Sequence, residues 1–479
     1  MEEKCGVCGV SGRKSAELIL YRMLVQMQHR GQLSAGITSY KPKDAHILYT
    51  YKDIGLVNSV FKAENAAKFA NIMEKLSTDT GIGHVRYATS GGDDPTYAQP
   101  FEHLHGKKNR WFSLCFNGNI ANYEETRKNL EKQNYHFIRK TDTELMLLLL
   151  AKELKGSKSL AESFNNLSTH LDGAYSIGFL NAEGTIAAAR DPLGFKPLCY
   201  SHDDGEIAFA SESVALENNG FGNVKDIKPG QMIIKERDSF SIETFAKSER
   251  CAHCFFEWVY FAHPASKIEG KLVYEARYNL GKELAREETQ KIDKDCVVVS
   301  VPDSSTPAGY GFAEQLGLPI REGLIRNRYV GRTFIQSRDR AQRVKEKFML
   351  IKDVFKDKKV FLIEDSIVRG TTLKNLISYI KENGQPKEIH VRVSCPPIMH
   401  PCFYGIDMST RKELIAARKK IDEIAKEIGA DSLRYQSTEG MIKSIGLPQK
   451  DLCMACLNGE YPTEAGNKCS EKDGQCKLH

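Results

Sequence analysis

The chain has 479 residues and a formal net charge of +6 at pH 7, with 41% apolar and 27% charged residues. This is the composition of a soluble globular protein, and because the length exceeds what one hydrophobic core usually organises, we expect two domains. The small net charge gives little reason to propose nucleic acid as a partner, and no apolar run approaches the roughly 18 residues of a membrane span.

The N-terminal segment lacks a basic start followed by an apolar core, so it does not resemble a signal peptide and a cytoplasmic location is expected. A helix is predicted from Leu18 to Met27, ending at Gly31, and another over 143–154. Short strand patterns alternate with turns at 176–180, 185–191, 196–202 and 206–213. These patterns indicate an α+β domain of layered sheets over 5–240.

The second half changes to strands that are apolar throughout and are separated by helical stretches. They are DCVVVSV at 295–301, VFLIED at 360–365 and IHVRVS at 389–394. This alternation is typical of a parallel sheet covered on both faces, so we predict an α/β domain over 241–465. The segment 466–479 is polar and is expected to be a frayed tail.

The strand at 360–363 ends in two acids, Glu364 and Asp365, and a short loop leads to Gly370. Ligands of parallel sheets bind beyond the carboxyl ends of the strands, where paired carboxylates can hold sugar hydroxyls or a magnesium ion. Gly370 lets the backbone approach a ligand closely, and the helix predicted to follow it has free N–H groups at its start. The stretch therefore predicts a phosphate-binding loop.

The order acid, acid, Ser, three residues, Gly, Thr, Thr after four apolar residues resembles the phosphoribosyl diphosphate loop of type I phosphoribosyltransferases. The resemblance implies that Glu364 and Asp365 contact the ribose or its magnesium ion. It also implies that the loop wraps the 5-phosphate through Asp365, Ser366, Arg369, Gly370, Thr371 and Thr372. The commoner form has two aspartates, so Glu364 departs from it.

Five motifs in the first half resemble, in order, the class II glutamine amidotransferase domain, an N-terminal-nucleophile hydrolase with αββα layers. They are Cys5-Gly6-Val7, QHRGQ at 28–32, GHVRYAT at 83–89, NGNI at 117–120 and TDTE at 141–144. The resemblance implies that Cys5 becomes the first residue once residues 1–4 are removed, and that its thiolate attacks the glutamine amide. Its α-amino group can serve as base because such groups have a pKa of about 7.7 to 8. The other implied roles are oxyanion stabilisation by Asn117 and the Gly118 N–H, and binding of the glutamine α-carboxylate and α-amino group by Arg86 and Asp142.

Cys8 competes with Cys5 as the nucleophile, because both begin a Cys-Gly-Val-x-Gly string. The family continues that string with an apolar residue. Val10 supplies it for Cys5, whereas Arg13 stands there for Cys8. Cys5 is therefore the predicted nucleophile.

The two resemblances in one chain indicate the amidophosphoribosyltransferase family, because other enzymes with this amidotransferase domain lack the phosphoribosyl diphosphate loop. Further segments agree, at 256–266, 301–313, 325–336, 400–410 and 453–463. The resemblance implies an enzyme that makes 5-phosphoribosylamine, glutamate and diphosphate from glutamine, water and phosphoribosyl diphosphate, the first step of purine synthesis. It also implies a sealed passage for ammonia, purine nucleotides as feedback inhibitors, and a homo-oligomer.

The resemblance implies that the loop VPDSSTPA at 301–308 lies by the diphosphate, with Ser304 able to contact magnesium, and that 325–336 is a basic flexible loop that closes on substrate. Arg326, Arg328 and Arg332 suit this loop, because the leaving diphosphate gains charge as its bond breaks. The positions that depart from the family pattern are Leu33, Phe116, His263 and Ala265. None has an assigned chemical role, but they leave room for a changed substrate loop or weakened glutamine use.

Thirteen cysteines without a signal peptide point to thiol chemistry or metal ligation rather than to a disulfide framework. Spacing alone would join Cys251 and Cys254 with Cys453 and Cys456 in a zinc site, although the two pairs lie far apart in the sequence. The family resemblance instead implies a [4Fe-4S] cluster bound by Cys254, Cys402, Cys453 and Cys456. Four thiolates suit either metal centre, and the matching sequence contexts favour the cluster.

Two other functions stay open. The chain could be a regulatory protein that senses phosphoribosyl diphosphate and binds DNA, although the ordered glutamine-site motifs argue against it. It could also be a catalytically degenerate paralogue that keeps the fold without turnover.

Overall fold

The computed structural model describes residues 5–87, 94–237, 239–248, 250–327, 345–408 and 410–471. The strands of the first half are β1 (Gly6–Ser11), β2 (Ser34–Tyr40), β3 (Leu48–Ile54), β4 (Thr80–Arg86), β5 (Phe101–His103), β6 (Phe112–Ile120), β7 (Gly173–Asn181), β8 (Ile186–Arg190), β9 (Cys199–Asp203), β10 (Glu206–Ala210), β11 (Lys225–Asp226), β12 (Gln231–Glu236) and β13 (Ser239–Thr244). Its helices are α1 (Ala16–Gln26), α2 (Val57–Val60), α3 (Ala66–Leu76), α4 (Tyr123–Glu131), α5 (Asp142–Glu153), α6 (Leu160–Ser168) and α7 (Ser213–Glu217).

These strands form two antiparallel sheets that stack face to face. Their orders are β11-β9-β10-β1-β4-β2-β3 and β13-β12-β8-β7-β6-β5. The core between the sheets includes Val7 and Ile82 from the first and Leu180 and Ile233 from the second. Helices α1, α2, α3 and α7 cover the outer face of the first sheet, and α4, α5 and α6 cover that of the second. The αββα layers predicted for this half are confirmed.

Both helices predicted in the first half are present. Helix α1 buries Leu20, Met23 and Leu24 on one face, as the apolar spacing predicts. Helix α5 begins one residue earlier than predicted, because the hydroxyl of Thr141 caps it by accepting the N–H of Glu144. The predicted domain boundary at 240 falls inside β13, which pairs with β12 as far as residue 244, so the first half extends at least to there.

The second half contains β14 (His253–Cys254), β15 (Lys267–Ile268), β16 (Lys271–Leu272), β17 (Cys296–Ser300), β18 (Leu324–Arg326), β19 (Phe348–Leu350), β20 (Lys359–Glu364), β21 (Glu388–Val393), β22 (Ser432–Tyr435) and β23 (Leu452–Cys453). Its helices are α8 (Val273–Arg286), α9 (Thr306–Leu316), α10 (Lys352–Phe355), α11 (Thr371–Gly384), α12 (Ile421–Ile428), α13 (Thr438–Ile445), α14 (Ala455–Asn458) and α15 (Glu464–Glu471).

A four-stranded parallel sheet in the order β17-β20-β21-β22 forms the centre of this half. Its first three strands are the predicted apolar ones, and β22 was not predicted. Helix α9 packs on one face through Phe312, and α11 packs on the other through Leu376 and Ile380. The predicted α/β domain with a parallel sheet is confirmed.

The prediction of a frayed polar tail is wrong for residues 466–471. Helix α15 buries Gly466 and Cys469, and the N–H of Ala465 donates to Asp172 Oδ2 of the first half at 2.8 Å. This helix was not predicted, because the segment that forms it contains almost no large apolar residue. In the parts of the chain that the structure describes, no helix has the length and apolar character needed to cross a membrane.

Candidate functional site

The predicted nucleophile Cys5 lies at the start of β1, beside the end of β4. These strands are antiparallel, and the pairing of Gly6 with Val85 places Cys5 next to Arg86. Burial lowers the pKa of Arg86, and the neighbouring Cys5 and Tyr97 oppose that shift. The structure therefore brings the thiol together with the guanidinium predicted to hold the glutamine carboxylate.

Cys8, the competing candidate, has different surroundings. Its side chain is fully buried, and its thiol lies 3.7 Å from the carbonyl oxygen of Gly83. Burial raises the pKa of Cys8 well above its ordinary value, and the nearby Cys115 adds to the increase. A buried thiol with a raised pKa is a poor nucleophile.

The other predicted glutamine-site residues lie on β6 and at the start of α5. Asn117 is 4% exposed, and its Nδ2 has no hydrogen-bond partner among the described residues. Asp142 accepts the N–H of Ile120 through Oδ2 at 3.1 Å, while its buried Oδ1 accepts no hydrogen bond in the same described ranges. Burial raises the pKa of Asp142 well above its ordinary value. An ammonium group placed at Oδ1 would offset the cost of ionising this carboxyl.

A hydrogen bond between β4 and β6 brings these two sets of residues together. His84 Nε2 lies 3.0 Å from the carbonyl oxygen of Phe116, and these residues closely precede Arg86 and Asn117. Burial lowers the pKa of His84 to about 3, so the imidazole is neutral and donates this bond. The ends of β4 and β6 therefore lie against each other, and the predicted glutamine-site residues converge there.

The predicted phosphoribosyl site lies beyond the carboxyl ends of β17 and β20, which are adjacent in the sheet. Asp365 follows β20 and accepts hydrogen bonds from Ser304 Oγ and Ser366 Oγ, each at 2.5 Å. Glu364 is the last residue of β20, and its Oε1 accepts the N–H of Asp365 at 3.0 Å. Burial raises the pKa of Glu364 well above its ordinary value, and the charge of Asp365 adds to that effect.

The loop after Asp365 ends at the start of α11, as predicted. Gly370 precedes the helix with φ 76°, a left-handed conformation that glycine adopts without strain. Thr371 and Thr372 are the first two residues of α11, where backbone N–H groups have no partner inside the helix. Arg369 Nη2 pairs with Glu413 Oε2 at 2.7 Å.

Of the three arginines predicted to contact the diphosphate, Arg326 falls within the described residues. It ends β18, and its Nη1 donates to Asp303 Oδ2 at 2.9 Å, next to Ser304. Arg328 and Arg332 lie in 328–344, outside the described residues, so their roles stay a prediction.

The residues predicted to contact magnesium fit a hydrated ion. No three His, Cys, Asp or Glu side chains within the described ranges are placed to hold one metal ion. Magnesium, however, commonly binds through one or two carboxylates and completes its coordination with water and substrate phosphates. Burial raises the pKa of Glu364 and the charge of the neighbouring Asp365 raises it further, and a divalent cation would offset the cost of ionising both carboxyls.

Four cysteines of the second half line one apolar cavity. They are Cys254, Cys402, Cys453 and Cys456, and the other lining residues are Phe195, Phe256, Tyr404, Ile406, Met408 and Ala455. Cys254 and Cys453 are opposite each other in the parallel pair of β14 with β23. The N–H groups of Met399 and His400 donate to the carbonyl of Cys456 at 2.9 and 3.0 Å, which holds the segment before Cys402 against α14.

One of the four sulfurs accepts a hydrogen bond from the backbone N–H two residues later, since Tyr404 N lies 3.4 Å from Cys402 Sγ. Burial raises the pKa of Cys254 and Cys453, and the backbone at Phe256 and Ala455 opposes that increase. Such N–H groups stabilise thiolates that bind a metal centre. Within the described residues, no three of the four sulfurs are placed around a single ion, but a [4Fe-4S] cluster binds each thiolate to a different iron and does not require that placement. The four cysteines and their apolar surroundings fit such a cluster.

The set of four cysteines that spacing suggested for a zinc site and the set that lines the cavity differ in one cysteine. Cys251 does not line the cavity, and Asp451, Glu269 and Arg190 lie near it instead. Cys402, which spacing did not select, lines the cavity with the other three, as the family resemblance implies. Spacing failed because it cannot identify which sulfurs converge in three dimensions.

The sequence assigned no role to Arg30, which the structure places at the junction of the two halves. Its Nε donates to the carbonyl oxygen of Cys5 at 3.1 Å. Its guanidinium pairs with Glu212 at 2.5 Å in the first half and with Glu257 at 2.9 Å in the second, and all three side chains are buried. Arg30 lies in the motif QHRGQ, but nothing in the sequence indicated its partner Glu257.

Arg277 on α8 was also missed. It is buried and donates to the carbonyl oxygens of Trp258 and Ala262, each at 2.8 Å. Burial lowers its pKa to about 10, against the opposing charges of Asp365 and Glu212. Arg277 thus lies between the phosphoribosyl residues and the junction, and no motif contains it.

Two family models match separate parts of the chain. One, described as a glutamine amidotransferase domain, matches residues 84–218, and one, described as a phosphoribosyl transferase domain, matches residues 273–429. Curated proteins named amidophosphoribosyltransferase match almost the full length. That of Methanothermobacter thermautotrophicus is 40% identical over 477 residues, which cover 98% of this chain and 97% of the relative. That of Bacillus subtilis is 39% identical over 470 residues, which cover 97% of this chain and 95% of the relative.

Two solved structures share both halves of the fold. One is glutamine phosphoribosylpyrophosphate amidotransferase from B. subtilis in complex with ADP and GMP, with a TM-score of 0.86 and 38% identity, covering 96% of this chain and 98% of that chain. The other, described as the allosteric regulatory enzyme of purine biosynthesis, has a TM-score of 0.87 and 38% identity, covering 96% of this chain and 97% of that chain.

Proposed function

The chain belongs to the amidophosphoribosyltransferase family, and we propose how its two halves divide that family's reaction. The enzyme makes 5-phosphoribosylamine, glutamate and diphosphate from glutamine, water and phosphoribosyl diphosphate, the first step of purine synthesis. The first half releases ammonia from glutamine, and the second half transfers the phosphoribosyl group to that ammonia. The observation that supports this division most strongly is that one chain carries both Cys5 beside Arg86 and the hydroxyls of Ser304 and Ser366 on Asp365.

In the glutamine site, Cys5 is the nucleophile once residues 1–4 have been removed. Its α-amino group accepts the thiol proton and delivers it to the leaving amide nitrogen, while Asn117 and the Gly118 N–H stabilise the oxyanion. Among the described residues, Asn117 Nδ2 has no hydrogen-bond partner, and this supports the assignment. Arg86 binds the α-carboxylate of glutamine, and Asp142, with Oδ1 available to an ammonium group, binds the α-amino group.

In the phosphoribosyl site, the loop from Asp365 to Thr372 binds the 5-phosphate through Ser366, Arg369 and the N–H groups at the start of α11. Glu364, Asp365 and Ser304 are the residues that would hold magnesium, which neutralises diphosphate charge when bound. The guanidinium groups of the loop that contains Arg326 balance the charge of the leaving diphosphate. Arg328 and Arg332, outside the described residues, belong to the same proposal.

Cys254, Cys402, Cys453 and Cys456 are the residues that would hold a [4Fe-4S] cluster. Such a cluster would link three segments of the second half through iron-sulfur bonds. The four cysteines lining one cavity and the N–H of Tyr404 directed at Cys402 Sγ support the assignment.

Purine nucleotides are proposed as feedback inhibitors, because a relative with 38% identity was solved in complex with ADP and GMP. The enzyme is further proposed to be a cytoplasmic homo-oligomer. The alternative of a DNA-binding sensor gains no support from the relatives, whose names describe a transferase.

The division of the reaction is tested by measuring 5-phosphoribosylamine formation with magnesium and either glutamine or ammonium on anaerobically purified protein. We expect product from both nitrogen sources, loss of the glutamine-dependent reaction alone in Cys5→Ala, and little change in the matched variant Cys8→Ser. Mass spectrometry should find Cys5 as the first residue. Fully active protein that retains Met1, or glutamine-dependent activity in Cys5→Ala, would rule out Cys5 as the nucleophile.

A further inference from the structure

The end of β6, which carries Asn117 and Gly118, contacts a loop of the second half directly. The side chain of Asn119 is 5% exposed, and its Nδ2 donates to the carbonyl oxygen of Phe403 at 2.8 Å. Asn119 and Phe403 are far apart in the sequence, so this bond joins the two halves. It lies next to the predicted oxyanion donor.

The same loop is held at two further consecutive residues. The ring of Tyr404 stacks on Phe195 with 4.2 Å between centroids and 20° between planes. Lys196 is buried, and its Nζ donates to the carbonyl oxygen of Gly405 at 3.4 Å. Segment 403–405, which we call the docking loop, is therefore fixed to the first half at every residue.

The docking loop runs close over the backbone of Gly118. Gly405 has φ 93°, and a Cβ on it would lie 3.5 Å from the carbonyl carbon of Gly118 and 3.4 Å from Lys196 Cε. Any displacement of the loop toward β6 therefore acts on the peptide next to the predicted oxyanion hole. On the opposite side, β7 pairs with this part of β6, with Tyr175 opposite Gly118.

We propose that Asn119 is a positioning residue for glutamine hydrolysis, because it fixes the backbone of Gly118 between β7 and the docking loop. The inference rests on the proposed role of the Gly118 N–H in stabilising the oxyanion. An oxyanion donor lowers the barrier only when it is held in place before charge develops, and a misplacement of about 1 Å can cost 10²-fold in rate. The bond from Asn119 spans the two halves, so oxyanion stabilisation in the first half depends on the position of a loop in the second.

The substrate-binding groups do not depend on this contact in the same way. Arg86 lies on β4, and Asp142 begins α5 and accepts the N–H of Ile120 on β6 rather than a group of the docking loop. Asn119→Ala should therefore lower the kcat of the glutamine-dependent reaction by about tenfold or more and change the KM for glutamine by less than about twofold. Ammonia-dependent synthesis should be unchanged.

Gly405→Ala perturbs the same contact from the second half, because a φ of 93° strains any residue other than glycine, and it should also lower kcat with glutamine. Asn122→Ala is the matched control, because its Nδ2 also donates to a backbone carbonyl, that of His170 at 3.0 Å, but within the first half. Its kcat with glutamine should stay within about twofold of the parent. The three variants separate an effect on Gly118 from the general cost of losing a side-chain amide.

The steady-state rates with glutamine and with ammonium, measured on the full-length enzyme, decide the inference. An unchanged kcat in Asn119→Ala, a loss confined to KM, or an equal loss with ammonium would each overturn it. A parent enzyme that makes product from ammonium but not from glutamine would refute the proposed function and this inference together. A parent enzyme that uses glutamine, with Asn119→Ala equal to it, would refute the inference alone.

Discussion

Glu257→Gln should lower the free energy of unfolding by about 3 to 5 kcal/mol, the usual cost of breaking a buried ion pair, because it removes a carboxylate from the junction between the two halves. The side chains of Arg30, Glu212 and Glu257 are 1%, 0% and 2% exposed, and Lys196 Nζ lies 3.9 Å from Glu257. Two buried cations therefore face two buried carboxylates. Glutamine keeps the shape of Glu257 but leaves Arg30 with Glu212 alone and removes the carboxylate that faces Lys196.

Equilibrium unfolding in urea can follow each half separately, because the chain has two tryptophans. Trp111 lies in the first half and donates to Glu102, whereas Trp258 is fully buried in the second. In single-tryptophan proteins made with Trp111→Phe or Trp258→Phe, Glu257→Gln should lower the unfolding free energy by the stated amount. We also expect the two transitions to move apart.

The control for this prediction is an exposed ion pair of the first half. Glu131→Gln removes the partner of Arg127, a pair at 2.8 Å in which the side chains are 20% and 40% exposed. Pairs of this kind contribute about 0.3 to 0.5 kcal/mol. If Glu257→Gln costs no more than Glu131→Gln, burial of the ion pair does not stabilise the junction and the reasoning is refuted.

Three further predictions concern single sites. Burial raises the pKa of Asp142, so the ionisation of this carboxyl costs stability as the pH rises above its ordinary pKa of about 3.9. Asp142→Asn should therefore abolish glutamine use but raise the melting temperature, and by more at pH 8 than at pH 5. A variant that is less stable than the parent at pH 8 would contradict this. Asp365→Asn should lower synthesis from glutamine and from ammonium alike by at least about tenfold, because both use the same site, whereas normal ammonium-dependent rates would exclude its assigned role. Cys402→Ser should remove the visible absorbance of an anaerobically prepared brown protein and Cys251→Ser should keep it, while a colourless preparation with stoichiometric zinc would overturn the cluster.

The architecture could be predicted where burial leaves a clear pattern. The central strands of the second half are apolar on both faces, and their sequences indicate a parallel sheet without further information. Strand β22 has the sequence SLRY, and it lies at the edge of the sheet with three of its residues only half-buried. Edge strands carry polar residues, so their pattern does not differ from that of a loop.

The candidate sites could be predicted where the chemistry lies within one short segment. Glu364, Asp365 and Ser366 are neighbours in sequence, and so are Asn117 and Gly118. The contacts that join the halves are different, because each partner is an ordinary residue in its own segment. No periodicity or spacing in the sequence indicates the ion pair of Arg30 with Glu257 or the hydrogen bond from Asn119 to the docking loop.

The parallel pairing of β14 with β23 has a consequence for the order of events during synthesis. Cys254 and Cys453 face each other, yet about 200 residues separate them, which a ribosome needs roughly 10 to 40 s to add at about 5 to 20 residues per second. Over that interval Cys254 has no opposite strand, while β17, β20, β21 and β22 are made and can pair. The four-cysteine cavity therefore cannot close until every strand of the parallel sheet has been synthesised, and a metal centre in it is acquired by a chain in which that sheet can already have formed.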